Sequence, residues 1–119
     1  MTETFCFHWT GRACGINNKY LTRSYVLTPE YRQFLDSVSL TCRAANPGVK
    51  LLGNISLSIQ MTIDRARDSD SLIKPIFDGI ERSGVIDNDN QIKSYRVDVS
   101  AKKRGAADEI FVKGEGPRQ

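Results

Sequence analysis

The chain has 119 residues, of which 39 % are hydrophobic and 26 % are charged, and its formal net charge is +3. This length suits one domain with one core, and the composition is that of a folded globular chain, which excludes a disordered or fibrous protein. Because no run of about 18 apolar residues and no signal-peptide pattern occurs, we expect a single cytoplasmic domain over residues 1–119 that does not enter a membrane.

The first predicted element is a strand in which Phe5, Phe7 and Trp9 alternate with other residues. A long loop follows over residues 10–25, with glycines and an Asn-Asn pair that favour turns and with three basic residues. Loops of this length that lack regular structure are commonly functional.

A helix is predicted next, with Thr28 as its N-cap and Pro29 at its first position. Its apolar residues recur at helical spacing, which makes the helix amphipathic. They are Tyr31, Phe34, Leu35, Val38, Cys42 and Ala45.

The clearest pattern in the chain lies in residues 54–63, where five apolar residues alternate with five polar ones and predict a strand with one buried face. A second helix is predicted from Leu72, with Gly84 as its stop. Pro75 interrupts this pattern, because a proline beyond the first turn removes a backbone hydrogen bond. We therefore expect this helix to begin late or to bend.

The last elements are a polar loop over residues 85–91, a strand over residues 92–100, a basic turn and a short strand over residues 109–113. In the first of these strands, Tyr95, Val97 and Val99 share one face. Residues 114–119 are predicted to form a flexible tail. The order predicts an α+β fold, a mixed or antiparallel sheet of about four to five strands with two main helices packed on it, largely on one face.

Charge is unevenly distributed along the chain. Residues 64–89 carry seven acidic and four basic residues, a net charge of −3, so the rest of the chain carries +6. Acidic residues within a basic body suit a metal-dependent enzyme that acts on a polyanion. A chance distribution of charges gives the same imbalance.

Metal-binding by cysteine or histidine is not indicated. The three cysteines follow no ligand spacing, and His8 is the one histidine of the chain. We expect reduced structural thiols and a structural imidazole on the first strand.

Three aspartates form the candidate metal site. Asp68 and Asp70 are separated by one residue, so in an extended approach to the second helix both side chains point the same way. Asp89 follows that helix, and the sequence does not decide whether it joins the site within its own chain or across to a neighbouring chain. Three carboxylates favour Mg²⁺, with Mn²⁺ as the alternative, over zinc.

A purely structural interpretation of the same acids stays open. Acidic residues near a helix N-terminus stabilise it by about 0.3–1 kcal/mol each. Asp70 and Lys74 have the spacing of an exposed helix ion pair, worth about 0.2–0.5 kcal/mol. Asp87 and Asp89, with their asparagine neighbours, are also typical turn formers.

Further residues at fixed spacing join the aspartates. Lys74 follows Asp70 by four positions, Phe77-Asp78 and Gly84 lie in and after the helix, and Asp89 is followed by Gln91-Ile92. Together with INNKY at residues 16–20, this arrangement resembles the RusA family of Holliday junction resolvases, without a gap in the spacing. The resemblance extends from about Trp9 to Val112.

The resemblance implies a homodimeric, Mg²⁺-dependent endodeoxyribonuclease that resolves four-way DNA junctions by paired symmetric nicks and leaves 5′-phosphates, in DNA recombination and repair and often in a prophage. Asp68, Asp70 and Asp89 would bind the metal, and Lys74 would act with them in catalysis. The implied DNA-binding residues are Arg12, Asn17, Asn18, Lys19, Arg23 and Arg67.

Two positions depart from the family pattern. Ser71 stands where the family usually has asparagine, and Asn88 stands where a first acid is expected, which Asp87 could replace. The alternatives are therefore a nuclease for flaps or other branched DNA, a catalytically weakened module that binds branched DNA, and a structural domain without nucleic acid.

Overall fold

The computed structural model describes residues 2–15, 27–64 and 67–117. Four strands and two α-helices form the domain, and a short 3₁₀ helix precedes both α2 and β3. In chain order the elements are β1 (Thr2–Gly11), α1 (Pro29–Ala45), β2 (Ile55–Ile63), a 3₁₀ helix (Ser69–Leu72), α2 (Ile73–Ser83), a 3₁₀ helix (Asp89–Gln91), β3 (Ile92–Ala101) and β4 (Asp108–Pro117).

The strands form one mixed sheet in the order β1-β4-β2-β3. β4 is antiparallel to both β1 and β2, whereas β2 and β3 are parallel. β1, β2 and β3 therefore run in the same direction, and the residues that follow them lie at the same end of the sheet as the start of β4. The predicted α+β class and mixed sheet are confirmed.

The core lies on one face of this sheet. Alternate residues of β1, β2 and β4 are buried there together with the apolar sides of α1 and α2, in one continuous cluster. On the opposite face, Ser58 and Gln60 of β2 are exposed, and Phe111 of β4 is 50 % exposed. The predicted burial of one face of β2 is thus confirmed.

Helix α1 begins where the sequence predicts. The Oγ1 of Thr28 accepts a hydrogen bond from the backbone N–H of Tyr31 at 3.3 Å, and Pro29 occupies the first turn. Every predicted core position of α1 is buried except Ala45, which is exposed. In residues 2–15, 27–64 and 67–117, no helix combines the length and the apolar composition needed to cross a bilayer.

Helix α2 shows how Pro75 is accommodated. Because α2 begins at Ile73, Pro75 lies in its first turn, where backbone N–H groups have no acceptor within the helix. The helix ends at Gly84, whose φ of 84° is left-handed, a conformation that glycine adopts readily. The expectation of a late start is confirmed.

The two last strands differ from expectation. β3 lies at an edge of the sheet, and its Tyr95 and Val99 are 53 % and 51 % exposed, so the predicted face is largely open. β4 is longer than predicted, and the prediction of a tail is wrong for residues 114–117, which pair with β1. A Cβ at Gly114 would lie 2.3 Å from the Phe5 ring, so glycine is required in the strand for packing.

Candidate active site

The two neighbouring aspartates lie just beyond the end of β2. Asp68 is extended (φ −75°, ψ 105°), and its Oδ1 accepts a hydrogen bond from the N–H of Asp70 at 3.0 Å. The Oγ of Ser71 donates to the carbonyl oxygen of Asp68 at 2.7 Å. These bonds close a 3₁₀ turn that contains Asp70, so the prediction of a shared extended segment is wrong for that residue.

Both carboxylates are nevertheless accessible, since Asp68 and Asp70 are both exposed. Asp68 serves as the N-cap of the 3₁₀ helix, so the capping interpretation of this residue is confirmed. One oxygen of a carboxylate is enough for capping, and a carboxylate has room for further partners. Capping therefore does not compete with a role in metal binding.

The turn that carries Asp89 is held by the side chain of Gln91. The Gln91 Oε1 accepts from the N–H of Asn88 at 3.1 Å, and its Nε2 donates to the carbonyl oxygens of Leu51 (2.8 Å) and Gly53 (2.9 Å). Asn88 caps the 3₁₀ helix that begins at Asp89. The glutamine two residues after the aspartate thus fixes the turn against the segment that precedes β2.

Lys74 connects this turn to α2 within one chain. Its Nζ lies 2.5 Å from Oδ2 of Asp89 and 3.0 Å from Oδ1 of Asp78. The backbone N–H of Asp89 donates to Oε1 of Glu81 at 2.7 Å, which gives the turn a second attachment to α2. The alternative of an ion pair between Lys74 and Asp70 is wrong, because Asp89 and Asp78 are the carboxylates that Lys74 contacts.

The protonation state of Lys74 follows from these contacts. The hydrogen bonds from Lys74 to Asp89 and to Asp78 raise the pKa of Lys74 above its usual range, against a smaller opposing effect of burial. The side chain is therefore an ammonium ion at neutral pH. It can donate hydrogen bonds and attract negative charge, but it cannot act as a base.

The predicted metal ligands are not gathered into one group. Within residues 2–15, 27–64 and 67–117, no three Asp, Glu, His or Cys side chains are placed to hold one ion. The donor chemistry still fits Mg²⁺, since that ion is commonly held by one or two carboxylates together with water and substrate phosphates. The accessible Asp68 and Asp70 meet this requirement, and the assignment of Asp68, Asp70 and Asp89 as ligands stays a prediction.

The predicted DNA-binding residues divide into three groups. Asn17, Asn18, Lys19 and Arg23 lie outside the described residues. Arg12 is exposed directly after β1, as a phosphate contact requires. Arg67 instead turns inward, and its side chain is 28 % exposed.

The partners of Arg67 form a buried cluster that sequence reasoning missed. Asp108 is 1 % exposed, and its Oδ2 lies 3.3 Å from Nη1 of Arg67 and accepts a hydrogen bond from the N–H of Ala13 at 2.9 Å. The Nζ of Lys102 lies 3.0 Å from Oδ1 of Asp108. A single acid after the basic turn was the one sign of this cluster in the sequence.

The cysteines and the histidine have the structural roles predicted for them. Burial raises the pKa of the Cys14 and Cys42 thiols, which makes them poor nucleophiles. All three cysteines are free, and Cys6 is exposed. His8 stacks on Phe111, with ring centroids 4.0 Å apart, on the open face of the sheet.

Comparison with known proteins identifies the family. A family model described as endodeoxyribonuclease RusA matches residues 11–113 of the 119. A search of the curated proteins found no match. The matched region contains Asp68, Asp70, Lys74 and Asp89, whose resemblance to this family is thereby confirmed. The chain belongs to the RusA family of endodeoxyribonucleases.

Proposed function

We propose that this protein is a Mg²⁺-dependent endodeoxyribonuclease that resolves four-way DNA junctions by paired symmetric nicks. The observation that supports this most directly is the contact between Lys74 and Asp89, 15 residues apart in the chain. It joins the two separated parts of the spaced pattern beside the same helix. A chain of turn formers and exposed ion pairs has no need of that connection.

The metal would be held by carboxylates of Asp68, Asp70 and Asp89, with substrate phosphate oxygens completing its coordination. When bound, the ion polarises the scissile phosphate and lowers the pKa of an attacking water. Mn²⁺ suits the same oxygen ligands. Asp68 remains tied to the turn through the Asp70 N–H, which keeps its second oxygen available.

Lys74 would supply positive charge where negative charge develops on the phosphate. Its ammonium is already fixed by Asp78, so it need not be reoriented during the reaction. Donors that are held in place before the reaction stabilise a transition state at little cost. The Asp78 carboxylate thus positions Lys74 and does not contact the DNA.

The loop after β1 would bind the DNA backbone. Basic and amide side chains contact phosphates and set the orientation of a protein on DNA without reading the sequence. The proposed contacts are Arg12, Asn17, Asn18, Lys19 and Arg23, with Lys102, Lys103 and Arg104 extending the basic surface.

A homodimer follows from the symmetry of the substrate. Two opposed strands of a four-way junction are cut at related positions, so two active sites related by a two-fold axis are needed. Hydrolysis by a metal-activated water would leave 5′-phosphates that a ligase can seal, as recombination and repair require.

The test is cleavage of a synthetic four-way junction by the purified protein with and without Mg²⁺, with a linear duplex of the same sequence as the control. We expect symmetric nicks in the junction alone, in the presence of the ion. Nicks at flaps or at unrelated positions would favour the alternative of a general branched-DNA nuclease. Binding without nicking at any Mg²⁺ or Mn²⁺ concentration would favour the weakened binding module.

A further inference from the structure

The Asp108 cluster has no place in the chemistry described above. Its carboxylate is almost completely buried, yet it faces two cations, Arg67 and Lys102, and one backbone N–H. A buried carboxylate is tolerated when such partners compensate for its lost hydration, and removing one partner is costly. The chain therefore holds this group for a reason other than exposed surface charge.

The cluster draws on every strand of the sheet. Ala13 follows β1, Arg67 follows β2, Lys102 follows β3 and Asp108 begins β4. These four positions meet at one end of the sheet because β4 runs against the other three strands. A cleft of about 500 Å³ adjoins them, with the exposed Arg12 in its lining.

Both backbone groups of Ala13 are fixed in this cluster. Its N–H donates to Oδ2 of Asp108, and its carbonyl oxygen accepts a hydrogen bond from Nη2 of Arg67. Arg67 in turn donates through Nη1 to the same Asp108 oxygen. Asp108 and Arg67 thus grip one residue of the chain from both sides, which a lysine at position 67 cannot reproduce with the same geometry.

A second contact joins the same two segments. A Cβ added to Gly15 would lie 2.3 Å from Oγ of Ser71, so the chain after β1 presses directly against the turn that carries Asp70. The segment that leads to the proposed DNA-binding loop is therefore attached to the acidic segment on both sides of Asp68.

We propose that Asp108 is a positioning residue, whose buried carboxylate clamps Ala13 and Arg67 together and so sets the DNA-binding loop relative to Asp68 and Asp70. This inference rests on the proposed function for the effect on DNA, but the clamp itself is independent of it. It also reassigns Arg67, which acts through Ala13 and Asp108 and not by direct contact with phosphate.

The experiment compares two variants in the cluster with two matched variants outside it. Asp108→Asn removes the charge at similar size, and Arg67→Lys keeps the charge but loses the two-sided contact. Asp36→Asn and Arg82→Lys make the same changes in a half-exposed pair, in which Nη1 of Arg82 lies 2.8 Å from Oδ1 of Asp36. Each protein is tested for folding, for junction affinity, for cleavage at saturating DNA and for hydrogen exchange at the Ala13 amide.

Both cluster variants are expected to weaken junction binding about tenfold, the lower end of the effect of losing a charge-assisted hydrogen bond. Cleavage at saturating DNA should stay within about threefold of the wild type, since the change affects binding and not the reacting atoms. Exchange of the Ala13 amide should accelerate in both variants, and the matched pair should leave all three measurements unchanged.

Arg67→Lys decides the proposal if Asp108→Asn does not fold. Wild-type affinity and wild-type Ala13 exchange in Arg67→Lys would overturn it, because they would show that position 67 contributes charge alone. If the wild-type protein neither binds nor cuts junctions, the proposed function fails. Ala13 exchange would then still accelerate in the variants if the clamp exists, and unchanged exchange would overturn it.

Discussion

Two groups of carboxylates and cations occur in this protein, and they differ in exposure. In the candidate active site, Lys74 and Asp89 have side chains that are 48 % and 26 % exposed. In the cluster at the other group, Asp108 is 1 % exposed. Exposed ion pairs are weak and can exchange partners, whereas a buried pair is held in one arrangement. The first group is therefore suited to receiving a metal and a phosphate, and the second to fixing the chain around them.

The largest effect is expected from Asp70→Asn, which should abolish nicking while junction binding persists. The amide keeps the size of the side chain but removes the charge that a metal needs. Nicking and binding are measured on the same junction, with Asp36→Asn as a control of similar exposure. Cleavage within a few-fold of the wild type would remove Asp70 from the metal site and weaken the contrast between the two groups.

Lys74→Gln should lower cleavage about 10²–10³-fold, the usual effect of losing one electrostatic donor at a reacting group. Stability should change by less than about 1 kcal/mol, because the pairs of Lys74 are exposed. Lys50→Gln, which removes an exposed pair with Asp87 at 2.8 Å, is the control. A large loss of stability without loss of cleavage would show that Lys74 belongs with the buried group.

The pH dependence of Lys74 follows from the direction of its shift. Because Asp89 and Asp78 raise the pKa of Lys74, its ion pairs stabilise the fold fully below the unfolded pKa of lysine, about 10.4, and this contribution is lost as pH rises beyond that value. The free energy of unfolding of wild type minus that of Lys74→Gln should hence be unaffected by Lys74 titration between pH 7 and about pH 9. A fall in that difference which tracks lysine deprotonation below pH 9 would contradict the assignment.

Asp108→Asn should reduce the free energy of unfolding by about 3 kcal/mol, the effect of breaking a buried ion pair. Urea denaturation of this variant beside Asp36→Asn, for which we expect less than about 1 kcal/mol, measures the difference between buried and exposed pairs directly. Equal losses in the two variants would remove the physical basis of the comparison.

The smallest effect is expected from replacing Lys19 and Asn18 together with alanine. Each lost phosphate contact lowers the slope of log affinity against log salt by about 0.9 and weakens binding moderately. Affinity is measured over a series of salt concentrations. An unchanged slope would take the loop out of the DNA interface, and the Asp108 clamp would then have nothing to position.

Patterns within single segments predicted most of the fold correctly. Alternation in residues 54–63, the Thr28-Pro29 start of α1 and the glycine stop of α2 all depend on neighbours within a few positions, and all three were confirmed. The tail predicted at residues 114–117 failed because Gly114 suits a loop by composition but faces the Phe5 ring in the strand. Contact with a residue more than one hundred positions away cannot be read from the local pattern.

The same distinction applies to the functional residues. The spaced pattern of Asp68, Asp70, Lys74 and Asp89 was legible in the chain because ligands and charges of a given chemistry recur at characteristic spacings, and the family match confirms it. The inward turn of Arg67 toward Asp108 depended on how β4 enters the sheet. Burial and the pairing of charges are properties of the folded chain, so residues 41 positions apart become partners only once the strands are in register.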